Sequence, residues 1–149
     1  MKQFSIQLLL LLSLSFSVMG QQVKFNEIQT SNSKTQIDPD FFKFKDWVEL
    51  YNPGSASVNL GGYFITDDKE EPRKWQIPSG KSIPAKGFIL LYCDGEDVTG
   101  KAMHTNFRLS SEGDKLYLYS STMLLVDTVS VGQVETDYTY GRMVDGTGA

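Results

Sequence analysis

Apolar positions in this chain fall into short runs that either alternate with period two or continue over one strand length, and turn clusters separate them every eight to twelve residues or so. That spacing belongs to sandwiches and barrels. Past residue 21 no segment holds apolar residues at helical spacing for three turns, because Gly and Pro interrupt too often. Val23 to Ile28 alternates and places Val23, Phe25 and Ile28 toward a core. Asp46 to Asn52 alternates again, with Val48 and Leu50 facing one way and Trp47, Glu49 and Tyr51 the other, before Asn52-Pro53-Gly54 turns the chain. Ser57–Leu60 and Tyr63–Thr66 are short strands around Gly61-Gly62, and Lys74–Ile77 and Ser82-Ile83 are framed by prolines. Phe88–Cys93 is apolar on both faces, as a central strand should be. Glu96–Asn106 reads as a surface loop leading to a strand at Phe107–Leu109. Leu116–Tyr119 and Leu124–Val131 form a hairpin, and Tyr138–Arg142 is the last strand. About nine or ten strands in one domain predict two packed sheets, since one open sheet would leave an apolar face wet.

Residues 1–20 stand apart. Lys2 followed by the apolar run Ile6–Leu14 has the form of a secretory signal, with Val18 and Gly20 small enough to direct cleavage before Gln21. Ser13, Ser15 and Ser17 interrupt the run, which falls short of the roughly 20 apolar residues of a spanning helix. The expected product is a single domain over 21–149, secreted, periplasmic or on the cell surface, with no membrane insertion after cleavage. Its one cysteine, Cys93, allows no intrachain disulfide and at the end of an apolar strand reads as a buried, inert thiol. The net charge is −4, with the two signs intermingled, a surface that does not attract nucleic acid.

Several of these segments together resemble the bacterial lamin tail domain. Phe25-Asn26-Glu27-Ile28, Asp46–Asn52, Tyr63–Asp68 and Lys74–Pro78 occur in that order. Ile83–Gly87, His104–Ser110, Val126-Asp127, Tyr140-Gly141-Arg142 and Asp145–Gly148 follow. The resemblance implies an immunoglobulin-like β-sandwich without an inter-sheet disulfide, in a family whose exported members accompany enzyme domains and tether or recognise rather than catalyse. It departs after Gly148, where the family usually continues into an aromatic residue and a Pro/Gly-rich tail and this sequence stops at Ala149.

Reactive groups are sparse, and no catalytic residues are assigned. A nucleophile with a histidine base would need His104, the only histidine, yet no Gly-x-Ser-x-Gly elbow presents a serine. His104 therefore reads as a loop residue bonding nearby backbone. Ser31-Asn32-Ser33-Lys34 spells Ser-x-x-Lys without helical flanks, so the spacing is coincidental. Zinc would require two carboxylates to converge on the lone His and Cys, and no such convergence is visible in the spacing. The acidic turns Asp67, Asp68, Glu70 and Asp94, Glu96, Asp97 are calcium candidates, but neither has an Asp-x-Asp-x-Asp-Gly frame and solvated turn carboxylates are the better account, so no cofactor is expected. Glu27 and Glu49 should be exposed or bonded to adjacent backbone.

The binding candidates are aromatic: Phe41, Phe42 and Phe44, interleaved with Lys43 and Lys45, together with Trp47 and Trp75. Core packing of Phe42 and Phe44 is the plainer account. The expectation is an interaction or accessory module that binds a protein or a cell-surface polymer or positions an adjoining enzyme. A carbohydrate-binding module stacking sugars on those rings is the alternative, and a small secreted hydrolase built on His104 is the third.

Overall fold

The computed structural model describes residues 22–147, so the signal peptide expected over 1–20 lies outside the described residues. Every regular element among them is a strand. A five-stranded sheet runs in the order β11 (Tyr140–Gly141), β1 (Lys24–Gln29), β2 (Trp47–Tyr51), β7 (Phe88–Tyr92) and β8 (Met103–His104). Facing it is a four-stranded sheet in the order β10 (Leu125–Val131), β9 (Asp114–Tyr119), β4 (Phe64–Thr66) and β5 (Trp75–Gln76). β3 (Val58–Asn59) and β6 (Ser82–Ile83) form a separate ribbon. The two-sheet sandwich predicted from the alternation is therefore present.

The core lies between the sheets. Phe25, Ile28, Val48, Leu50 and Leu91 from one side meet Ile65, Trp75, Leu116 and Leu118 from the other, with Leu60, Ile77 and Ile83 closing one end. Phe25 and Ile28 are three residues apart, a spacing that strict alternation would place on opposite faces. The strand resolves this with a bulge. Phe25 pairs with Leu50 and Glu27 with Glu49, so Asn26 is the extra residue and both apolar side chains turn inward.

The other face of β2 is covered as well. Trp47 and Tyr51 lie opposite Val48 and Leu50, as alternation places them, yet both are buried. The Trp47 indole N–H donates to Gln29 Oε1 at 2.7 Å, and the Tyr51 ring packs on Phe88 at 4.7 Å and beneath Gly146. The chain after β10 provides this cover. Asn26 donates from Nδ2 to Glu49 and Asp145, and its Oδ1 accepts the Gly146 N–H, fastening that segment over the sheet. Glu49 is thus half-buried against a side chain, contrary to the expectation of exposure or a backbone bond. Burial raises its carboxyl above the ordinary range, partly offset by the Asn26 bond. Glu27 likewise bonds a side chain, the Thr139 hydroxyl.

Two boundaries also differ. Phe107–Leu109 is not a strand and contributes a single bridge, between Asp94 and Arg108. The expected loop 96–106 instead contains β8, which pairs parallel to β7 with His104 beside Tyr92. A strand of two residues is too short for a periodic signal.

Candidate functional site

The long connection between β1 and β2 folds into a compact turn, and aspartates make it so. Asp38 Oδ1 accepts the Asp40 N–H at 2.8 Å and Oδ2 the Phe41 N–H at 3.3 Å, as an Asx turn does. The Phe42 N–H donates to the Asp38 carbonyl, the Asp38 N–H to the Lys43 carbonyl, and Ile37 bridges Phe44. Closing so tight a turn puts Phe42 at φ 56°, a conformation unfavourable for a bulky side chain. Asp40 reaches away from the turn and accepts the N–H groups of Lys101 and Ala102 at 2.9 and 2.8 Å. A Cβ at Gly100 would lie 2.5 Å from that carboxylate, so only glycine admits it. The two amides, Ala102 foremost, hold the Asp40 carboxyl below the usual range, with His104 contributing.

Beneath this turn sits His104, fully buried on β8. Its ring stacks on Tyr92 at 5.5 Å and meets the edge of Phe41 at 5.1 Å. Nδ1 lies 3.1 Å from Asp94 Oδ2, and Nε2 lies 3.3 Å from Asp40 Oδ2 and 3.6 Å from Asp38 Oδ1. Lys45 Nζ stands 3.6 Å from both Asp94 and Glu96. The Tyr92 hydroxyl donates to the Ile37 carbonyl at 2.9 Å, tying the turn to the sheet. His104 is therefore no loop histidine bonding local backbone. It is the centre of three carboxylates, Asp38 and Asp94 buried and Asp40 partly exposed, drawn together because the β1–β2 connection folds over the parallel β7–β8 pair.

Among the described residues, the hydrogen bonds of the His104 ring go to the carboxylates of Asp94 and Asp40, and none goes to a hydroxyl or thiol. Ser31 bonds Thr136 and Ser33 bonds Asp137, so the Ser-x-x-Lys segment is spent on holding the later chain. Cys93 is buried as expected, and burial pushes its thiol far up, away from the thiolate a nucleophile needs.

The aromatic candidates separate. Phe41, Phe42 and Phe44 are 40, 71 and 42 % exposed, whereas Trp47 and Trp75 are 7 and 5 % exposed. Core packing of Phe42 and Phe44 is thus overturned, and so is any stacking platform built on the tryptophans. The Trp75 N–H is occupied by Asp97 at 3.1 Å. Ile37 and Val98 add exposed apolar surface near the phenylalanines, and Lys101 Nζ lies 5.6 Å from the Phe42 ring.

Neither acidic turn gathers into a calcium site. Asp67 pairs with Lys74 at 2.7 Å, Asp68 accepts the Glu70 N–H, and Glu70 faces solvent. Asp94 leaves its turn for the histidine, Glu96 faces Lys45 and Asp97 faces Trp75. Among the described residues, the side chains whose ligand atoms come within 4.8 Å of one another are Asp38, Asp94 and His104. Asp38 and Asp40 flank Pro39 in a polar stretch of the sequence. The pair of carboxylates two residues apart was the available signal.

No curated protein matches this chain closely enough to lend it a function. The profile of the Lamin Tail Domain matches residues 19–133, from before β1 to just past β10. With most of its length so matched and a two-sheet sandwich in place, the chain belongs to the lamin tail domain family of non-enzymatic, immunoglobulin-like domains.

Proposed function

We propose that the protein is an exported interaction module that docks a protein partner through the turn carrying Ile37, Phe41, Phe42 and Phe44. The single observation behind this reading is Phe42, 71 % exposed at a left-handed backbone angle and fixed in place by a network that Asp38 and Asp40 anchor. Backbone strain retained on an outward aromatic side chain is a mark of functional surfaces. A protruding ring fills a partner's pocket, and a preformed turn loses little entropy when it binds. The Lys101 amine lies 5.6 Å from the Phe42 ring and Lys43 follows Phe42 in sequence, which favours an apolar pocket with acidic groups at its rim. A protein partner fits better than a glycan, because both tryptophans are withdrawn and the remaining rings have no polar atoms for sugar hydroxyls. Export rests on Lys2 and the apolar run from Ile6 to Leu14.

A photo-crosslinking amino acid at position 42, with Met143 as the control position, tests the reading on the native cell surface. The expected result is a discrete protein adduct at 42, absent at 143, whose purified partner binds the domain in solution. A glycan adduct, or equal labelling at both positions, would overturn it.

A further inference from the structure

The outward face of the four-stranded sheet carries chemistry that the docking turn does not use. Leu116, Leu118, Ile65 and Trp75 point into the core, so alternation sends Tyr117, Tyr119, Phe64 and Gln76 to the other side. Strand pairing sets Tyr119 between Phe64 and Leu125, and Tyr117 between Thr66 and Thr128. The two tyrosine rings lie nearly parallel, 20° apart in plane with centroids separated by 6.4 Å. Each of the three rings is half-buried and keeps part of its surface in solvent. We infer that this face is a binding site for an acidic polysaccharide, one whose sugar rings carry carboxylates as uronic acids do.

Charge selects the ligand class. Arg73 Cζ stands 6.0 Å from the Phe64 ring centroid, and Lys115 Nζ 5.6 Å from that of Tyr117. Neither cation enters an ion pair among the described residues. The two carboxylates on these strands are engaged elsewhere, Asp127 with Lys24 and Arg142 and Asp114 with the Ser110 and Lys115 amides. The charges left unpaired on this face are therefore both positive, in a chain whose net charge is −4.

The ring surfaces select a sugar polymer. A sheet face is broad and shallow, and the C–H faces of successive pyranose rings lie well on aromatic side chains spaced along a strand. The tyrosine hydroxyls and the exposed Gln76 amide offer polar groups to the sugar hydroxyls at the edges of the stack. A uronate carboxylate arriving over Phe64 or Tyr117 meets a cation already there. Two cations are too few to hold a nucleic acid, whose affinity comes from many phosphate contacts. The face is also distinct from the Phe42 turn, which joins β1 and β2 of the opposite sheet.

The test titrates the whole protein with oligogalacturonate, alginate oligosaccharides and hyaluronan oligosaccharides and follows its aromatic side chains by NMR, with methyl-esterified oligogalacturonate as the uncharged counterpart. The expected result is a saturable shift of Phe64, Tyr117 and Tyr119 with at least one acidic sugar, at a Kd on the order of 0.1–1 mM that weakens as salt rises. Arg73→Gln with Lys115→Gln alters two exposed side chains, leaves the fold intact and should weaken binding about fivefold or more. Tyr119→Ala should weaken it about tenfold. Phe42→Gly should bind as the wild-type protein does. No shift with any of the acidic sugars up to about 10 mM would overturn the inference. So would equal binding of the ester, unchanged affinity in the double Gln variant, or the same rings moved as strongly by polyglutamate or oligo(dT) of equal charge.

Discussion

Phe44 and Trp47 are three residues apart and end in opposite environments. The ring of Phe44 lies in a turn that aspartate side chains hold against the backbone, and it faces outward. Trp47 opens β2 and disappears beneath Gln29. Trp75, equally aromatic and bounded by prolines, crosses the core. Hydrophobicity alone does not decide where an aromatic residue goes. A turn whose amides are satisfied by buried carboxylates can hold apolar rings in water, while a strand passes its rings to whatever covers the sheet.

The largest effect should come from a buried ring. Trp75→Ala removes an indole from the inter-sheet core and should destabilise by about 3–5 kcal/mol in chemical denaturation, much of a typical domain's stability. A cost below about 1 kcal/mol would mean the ring is not packed there. Trp47→Phe keeps the bulk and removes the donor, leaving Gln29 Oε1 with only the Thr35 hydroxyl in a buried position. The expected loss is about 1–2 kcal/mol, reduced when Gln29→Met is added, because the orphaned amide then disappears as well.

The far end of the same connection should respond to acid. Asp137 accepts the Ser33 hydroxyl and the N–H groups of Ser33 and Lys34, and the hydroxyl bond leads in holding its carboxyl below the ordinary 3.8. Because the folded value lies under the unfolded one, its support is complete above the unfolded value and is lost as pH falls through the folded value. A carboxyl ¹³C titration should give a midpoint below 3.8, with Ser33 and Lys34 amide protection falling alongside. A midpoint at or above 3.8 would remove this tie.

The smallest stability effect, and one of opposite sign, belongs to Phe42. Phe42→Gly relieves the left-handed strain of about 1–2 kcal/mol and loses about 1 kcal/mol to the freer unfolded chain, so stability should stay level or rise slightly.

Alternation along Val23–Ile28, Asp46–Asn52 and Leu124–Val131, with turns between, was enough to read the two-sheet architecture, and the resemblance to the family was carried by motifs occurring in order from Phe25 to Gly148. What escaped was set by contacts between distant segments. Asn26 gave no sign of a bulge, since its role depends on Asp145 and Gly146 more than a hundred residues later. β8 is two residues long and exists because β7 offers it a parallel edge. The site was half legible. The Phe41–Phe44 segment stood out, but its exposure depends on Asp38 and Asp40 spending their oxygens on backbone amides, a use that spacing does not reveal. His104 and Asp94 are ten residues apart and meet only because Tyr92 and His104 pair side by side.

The account stands most directly on one paired measurement, partner affinity and thermal stability of Phe42→Gly against the wild-type protein, using the partner purified from the position-42 adduct. Affinity should fall about thirtyfold or more, as for a binding hot spot, while Tm is held or raised. Affinity retained in a fully folded Phe42→Gly protein would contradict the assignment of the turn as the docking surface.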